Sequence, residues 1–227
     1  MSTTSPPDQS ATTPDERRSA RKRRAILEAA TTVFLRQGYL GTSMDEIAAL
    51  ARVSKQTVYK HFADKQSLFS EIVTTTLRDA SDSVYSETLK LRESGDVDAD
   101  LRDLARRLLA MVVQPQLMQL RRLVIGEVGR FPELGRAFHE QGPGRTMAAL
   151  AEAFARLADR GALEVPDPSV AAAHFNWLIL SAPLNRAMLL GQDDAPTAAE
   201  IERYADHGVR VFLAAYGSAG SPGSPLS

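Results

Sequence analysis

The segment from Lys55 to His61 gathers side chains that can both donate and accept hydrogen bonds: Lys55, Gln56, Thr57, Tyr59, Lys60 and His61 stand almost in succession. The Gln56 amide matches the donor and acceptor on the major-groove edge of adenine, and Thr57 or the Tyr59 ring suits a thymine methyl. Lysines, hydroxyls and an imidazole suit phosphate oxygens. Were this segment a helix, Val58 and Phe62 at i and i+4 would turn inward and leave the polar set outward or along the rim. Upstream, Arg17, Arg18, Arg21, Lys22, Arg23 and Arg24 place six cations within eight residues. A solvated helix face accounts for such a run as readily as DNA does. Its closeness in sequence to the polar helix favours phosphate or minor-groove contact.

The flanking sequence supplies elements to hold these groups. Ser43 and Glu46 have the spacing of a capping box, which predicts a helix from Met44 with Met44, Ile47, Ala48 and Ala51 on one apolar face. Ser54 caps the next helix after a tight turn at Ala51, Arg52 and Val53. Before them, Thr13, Pro14 and Glu16 supply a cap, a proline at the first helical position and an acidic third residue, so a helix begins there and ends at Gly38. Its stripe of Ile26, Ala29, Ala30, Val33 and Phe34 predicts a three-helix core that Tyr39 closes with Ile47, Val53, Val58 and Phe62.

With Thr42, Ile47, Ala48, Ala51, Val53, Ser54, Tyr59, His61, Phe62, Lys65, Leu68 and Phe69 where they stand, the stretch resembles the DNA-binding domain of TetR-type (tetracycline-repressor-like) transcriptional regulators. The resemblance implies a helix-turn-helix in which Lys55, Gln56, Thr57 and Tyr59 face the major groove. Thr42, Tyr59, Lys60, His61 and Lys65 would hold phosphates, with Arg23 and Ser43 beside them. Arg52 departs from the family, which usually has glycine in that turn. A left-handed backbone there costs a non-glycine residue about 1 kcal/mol.

Composition agrees with a regulator without selecting one. The chain has 227 residues, no cysteine and a net charge of −1. Residues 1–65 hold 11 Lys and Arg against 7 Asp and Glu, a balance of +4; the remainder holds 16 against 21, or −5. Basic charge therefore sits at one end. The absence of cysteine excludes disulfides and thiolate metal sites and fits a cytoplasmic protein. The expected fold is all-α: a three-helix DNA-binding domain joined by a long helix to a helical ligand-binding and dimerisation domain. Expected boundaries are a disordered arm over residues 1–13, domains over 14–64 and 65–216, and a disordered tail over 217–227.

Apolar periodicity predicts helices through the second half, broken before Pro115, near Phe131 and Pro132, at Gly142, Pro143 and Gly144, at Gly161 and at Gly191. The segment from Arg130 to Gly144 resembles the effector domains of the AefR-like subgroup. The last two helices, Ser169 to Leu190 and Thr197 to Tyr216, are apolar enough to be either internal core or a dimer face. The family resemblance favours a homodimer, with Phe175, Leu178, Ile179, Ala182, Tyr204, Gly208, Val211 and Phe212 as its candidate surface.

For a small-molecule effector, candidate walls are Met111, Met118, Leu123, Glu127, Phe131, Phe138, Met147, Phe154, His174, Trp177 and Met188. Glu127 falls on a mostly apolar stripe, where a carboxylate needs a partner; Arg130 or a ligand's polar group would serve. Neither a zinc-protease nor a nucleophile-elbow nor a P-loop motif occurs, and the four histidines lack metal-ligand spacing. No metal or cofactor is expected. The expected partners are a palindromic operator, a second copy of the chain and an unidentified effector. An architectural DNA binder and an enzyme with an unrecognised site are the competing classes.

Overall fold

A computed structural model describes residues 13–191 and 194–218. Among them the chain is helical, with one isolated bridge between Leu163 and Gly217. Disorder expected over residues 1–12 and 219–227 lies outside the described residues. Gly217, placed in the tail by sequence, is instead described, and Ser218 Oγ donates to Ala162 O at 3.4 Å.

Ten α-helices follow in order among the described residues: α1 (Pro14–Gly41), α2 (Met44–Leu50), α3 (Lys55–His61), α4 (Lys65–Leu91), α5 (Val97–Val112), α6 (Pro115–Glu127), α7 (Pro132–His139), α8 (Arg145–Asp159), α9 (Pro168–Leu190) and α10 (Ala198–Tyr216). Their starts follow local chemistry. Thr13 and Glu16 form a reciprocal capping box on α1, as do Thr197 and Glu200 on α10. Regular α1 ends at Gly38, whose φ of 75° breaks the helical path. Only half of the box expected on α2 forms. Ser43 accepts from Glu46 N, while the Glu46 carboxylate turns to Gln37 and Arg36 on α1 and so ties α2 to α1.

The chain divides into two compact units, one through Ile72 and one from Val73. Sequence had placed the boundary at Lys65. The first two turns of α4 belong to the first unit because Leu68 and Phe69 are fully buried in it. The Phe69 ring lies 4.9 Å from that of Phe34 and 5.3 Å from that of Tyr39. Ile26, Phe34, Ile47 and Val58 complete this small core.

In the second unit, α9 packs against α8 and α10, and α10 against α5. Phe154, Phe175 and Phe212 meet at its centre with ring centroids 5.0 to 5.5 Å apart, all fully buried. Truncating any one to alanine would cost about 3–5 kcal/mol. The predicted break at Gly142, Pro143 and Gly144 is not a break. Residues Glu140–Gly144 form a π-helical turn that joins α7 to α8 without interruption. Proline lacks an N–H and clashes with the preceding turn of an α-helix; the wider π turn accommodates it.

Candidate nucleic-acid interface and effector pocket

The turn between α2 and α3 sets the angle at which α3 is presented. Val53 N donates to Ala48 O at 3.1 Å and Arg52 N to Ala49 O at 3.2 Å, the two bonds of a Schellman ending. Arg52 has φ 54° and is the one non-glycine residue with positive φ among those described. The strain expected at that position is therefore present. Ser54 Oγ then accepts from Thr57 N at 3.1 Å and starts α3.

Buried Val58 and Phe62 anchor α3, and Gln56, Tyr59 and Lys60 are exposed. Thr57 is partly buried, with its hydroxyl 2.8 Å from Ser54 Oγ. Lys55 is exposed but paired, with Nζ 2.7 Å from Asp45 Oδ1. That hydrogen bond is the main cause that raises the Lys55 pKa. His61 is partly buried, and burial lowers its pKa below the ordinary histidine value, followed by the charges of Lys60, Arg23 and Lys22.

Three other expected phosphate ligands are engaged within the chain. Thr42 is 4% exposed, and its hydroxyl donates to Gly38 O at 2.8 Å. Lys65 Nζ donates to Tyr39 O at 2.8 Å and Thr42 O at 3.0 Å, and it lies 4.7 Å from the Tyr39 ring centroid. Arg23 pairs with Glu71 at 2.7 Å and sits over the Phe62 ring. All three side chains therefore have partners within the fold; Thr42 is buried, whereas the Arg23 side chain stays 42% exposed beside Glu71. Ser43 stays exposed at the start of α2, and Arg17, Arg18, Arg21 and Lys22 stay exposed along α1.

The second unit contains a cavity of about 470 Å³. Its wall combines Leu77, Ala80 and Ser81 of α4, Leu108 and Met111 of α5, Arg121 and Val124 of α6, Phe138 of α7, Met147 of α8 and Trp177 of α9. Of the candidate effector walls, Met111, Phe138, Met147 and Trp177 line this cavity. Met118 and Phe154 do not line it; both are fully buried in the packed core. His174 lies elsewhere, with Nδ1 2.7 Å from Tyr216 Oη. Leu123, Phe131 and Met188 also stand outside the wall. Glu127 is the last residue of α6, only partly buried and not paired with Arg130, because the helix ends where a buried stripe had been extrapolated.

Arg121 was not among the sequence candidates, although a signal existed. It stands at i+4 from Leu117 and i+3 from Met118, and Val124 and Ile125 follow at i+3 and i+4, which puts a cation on the apolar face of α6.

The expected dimer surface divides in two. Phe175, Ile179 and Phe212 are fully buried within the single chain and are corrected to core. Gly208 serves close packing of α10 on α9, since a Cβ there would lie 2.9 Å from Ile179 Cγ1. Leu178 and Val211 are 40% and 51% exposed, Ala182 is exposed and Tyr204 partly so. Sequence could not separate these faces because α9 is apolar on both.

Residues 26–72 match the profile described as bacterial regulatory proteins of the tetR family, and residues 99–218 match that of the AefR-like transcriptional repressor C-terminal domain. The second match covers more than half of the chain. This chain belongs to the TetR family of transcriptional regulators. A crystal structure from Mesorhizobium loti, described as a TetR-family transcriptional regulator, is 46% identical, covering 88% of this chain and 98% of that one, with a TM-score of 0.83. The flavonoid-responsive regulator FrrA is 32% identical over 88% of this chain and 100% of its own, with a TM-score of 0.70. Bacillus subtilis YhgD, an HTH-type transcriptional regulator, is 50% identical over 25% of this chain, a stretch that spans only 29% of YhgD. TetR-family regulators bind DNA, act as dimers and are not enzymes. No helix among the described residues of this TetR-family chain is long and apolar enough to cross a membrane.

Proposed function

We propose that this chain is a cytoplasmic repressor that binds a palindromic operator as a homodimer and releases it when a small, mainly apolar effector fills the second-unit cavity. The observation that carries the DNA half is the outer face of α3, where Gln56, Tyr59 and Lys60 project from a helix anchored by Val58 and Phe62. Lys55, Gln56, Thr57 and Tyr59 read bases, while Lys60, His61, Ser43 and the exposed cations of α1 hold phosphates. One such helix offers few base contacts. Two copies on inverted half-sites, about 34–36 Å or a multiple of that apart, supply enough.

Leu178, Ala182 and Val211 form the proposed dimer face with Val170 and Trp177, a stripe of exposed apolar groups along α9 and α10. FrrA is named for its response to a flavonoid, which supports an aromatic effector here. Coupling runs through α4, which contributes Phe69 to the first core and Leu77 to the cavity wall. A coupling of about 1–3 kcal/mol would lower operator affinity roughly 5- to 150-fold on effector binding.

The test is a genome-wide map of bound DNA followed by titration of the recovered operator. Gln56→Ala should change preference at one base position by about 1–3 kcal/mol, whereas Lys60→Ala should weaken all sequences alike and flatten the salt dependence. An operator affinity indifferent to Lys55, Gln56, Thr57 and Lys60 together would overturn the assignment.

A further inference from the structure

The cavity carries an unpaired charge. Arg121 reaches its wall from α6 in company with Leu117, Val124 and Ile125. Its Nε is buried without a hydrogen-bond partner. No aspartate or glutamate lines the cavity, and no ion pair to Arg121 forms among the described residues. Burial pulls the guanidinium pKa below the ordinary arginine value, and no anion opposes that shift. The group stays protonated all the same. What faces it is the Phe138 ring, 5.3 Å from the guanidinium carbon. A ring face attracts a cation but accepts little from the N–H donors in the guanidinium plane. Buried charges are ordinarily paired.

We propose that the missing partner is the effector's own anionic group, so that the cavity takes an aromatic body bearing a single carboxylate, sulfonate or similar anion held by Arg121. This rests on the effector pocket proposed above and names the class of its ligand. A cavity of about 150 Å³ holds benzene; one of about 470 Å³ accommodates roughly two or three rings. Met111, Phe138, Met147 and Trp177 supply the apolar and aromatic contact surface. An uncharged molecule of the same outline would fill the same space and leave the guanidinium unpaired. The site therefore selects for charge as well as shape.

The full chain is titrated with two probes of one skeleton, anionic 8-anilinonaphthalene-1-sulfonate and neutral N-phenyl-1-naphthylamine. The readout is quenching of Trp177, the single tryptophan of the chain, which lines the cavity. The anion should bind about tenfold more tightly or better. Arg121→Met should remove that preference, bringing the ratio of the two affinities to about one, and Arg121→Lys should keep most of it. Thermal melts check that each variant folds. Equal binding of the two probes, or a ratio unchanged in Arg121→Met, would overturn the anion assignment and leave the pocket standing. Absence of quenching by either probe, or quenching that persists when Ala80→Phe fills the cavity, would instead remove the pocket and the assignment with it.

Discussion

Lys55 Nζ lies 2.7 Å from Asp45 Oδ1, so the first turn of α3 is tied to the first turn of α2 on the face proposed for DNA. The pair holds a carboxylate at that surface. Asp45→Asn frees Lys55 and removes a repulsive charge. Affinity for operator and for unrelated DNA should both rise, by roughly two- to fivefold at low salt, and the salt dependence should steepen by about one phosphate contact. Binding titrations at several salt concentrations decide it. An unchanged slope would mean that Lys55 neutralises no phosphate, and an unchanged operator affinity that it meets no base.

Lys65 makes the opposite case. Its ammonium is committed to the carbonyls of Tyr39 and Thr42, at the junction of α1 and α2. Lys65→Met should destabilise the first unit by about 1.5–3 kcal/mol, because two carbonyls lose a charged donor. Denaturant unfolding measures that loss. Where protein remains folded, the salt slope of DNA binding should stay as it was, whereas a phosphate ligand would lower it.

Arg52 carries a left-handed backbone in the turn before α3. Arg52→Gly should stabilise the chain by up to about 0.5 kcal/mol, the relief of that strain less the greater freedom of glycine when unfolded. A raised melting temperature is the expected result. A lowered one would show that the guanidinium makes a contact worth more than the strain.

His61 supplies a pH dependence. Its folded pKa is below 6.5, so the unfolded chain binds more protons as pH falls through that range, and His61 makes stability decline with falling pH. DNA phosphates favour the protonated ring. Operator binding therefore takes up a proton, and affinity should rise as pH falls from above 6.5 toward the lowered pKa. His61→Gln should flatten both trends. A wild-type affinity as flat as that of the variant would place the ring away from phosphate.

Leu178→Asp and Val211→Arg, at exposed positions of α9 and α10, should yield folded monomers by light scattering. Gly208→Ala should instead destabilise the chain itself by about 1–3 kcal/mol, since its Cβ would crowd Ile179. A dimer that survives both charged substitutions would move the interface to another surface.

What could be foreseen from sequence follows how far each determinant reaches along the chain. Thr13 and Ser54 cap their helices through residues three positions away, and Gly38 acts on its own backbone, so these were legible. The inward turn of Val58 and Phe62 came from spacing alone. The clip made by Lys65 was not legible, because its acceptors lie 26 and 23 positions back. The partner of Glu46 was misplaced for a similar reason: Gln37 competes from another helix. On α9, Phe175 and Leu178 are equally apolar, and only the packing of Phe154 and Phe212 decides which is core. Arg121 was readable as an anomaly on an apolar face, but the cavity that gives it meaning is a tertiary feature.

The π turn of Glu140–Gly144 makes the joined helices α7 and α8 sensitive to length in a way that an ordinary loop is not. A loop absorbs an inserted or deleted residue by changing its path, and the flanking helices keep their orientation. A continuous helix has no such slack: losing one residue rotates one end against the other by about 100°. Leu134 and Phe138 would then swing away from the interior that α8 still faces, and the cavity would lose a wall with no change in any residue that forms it.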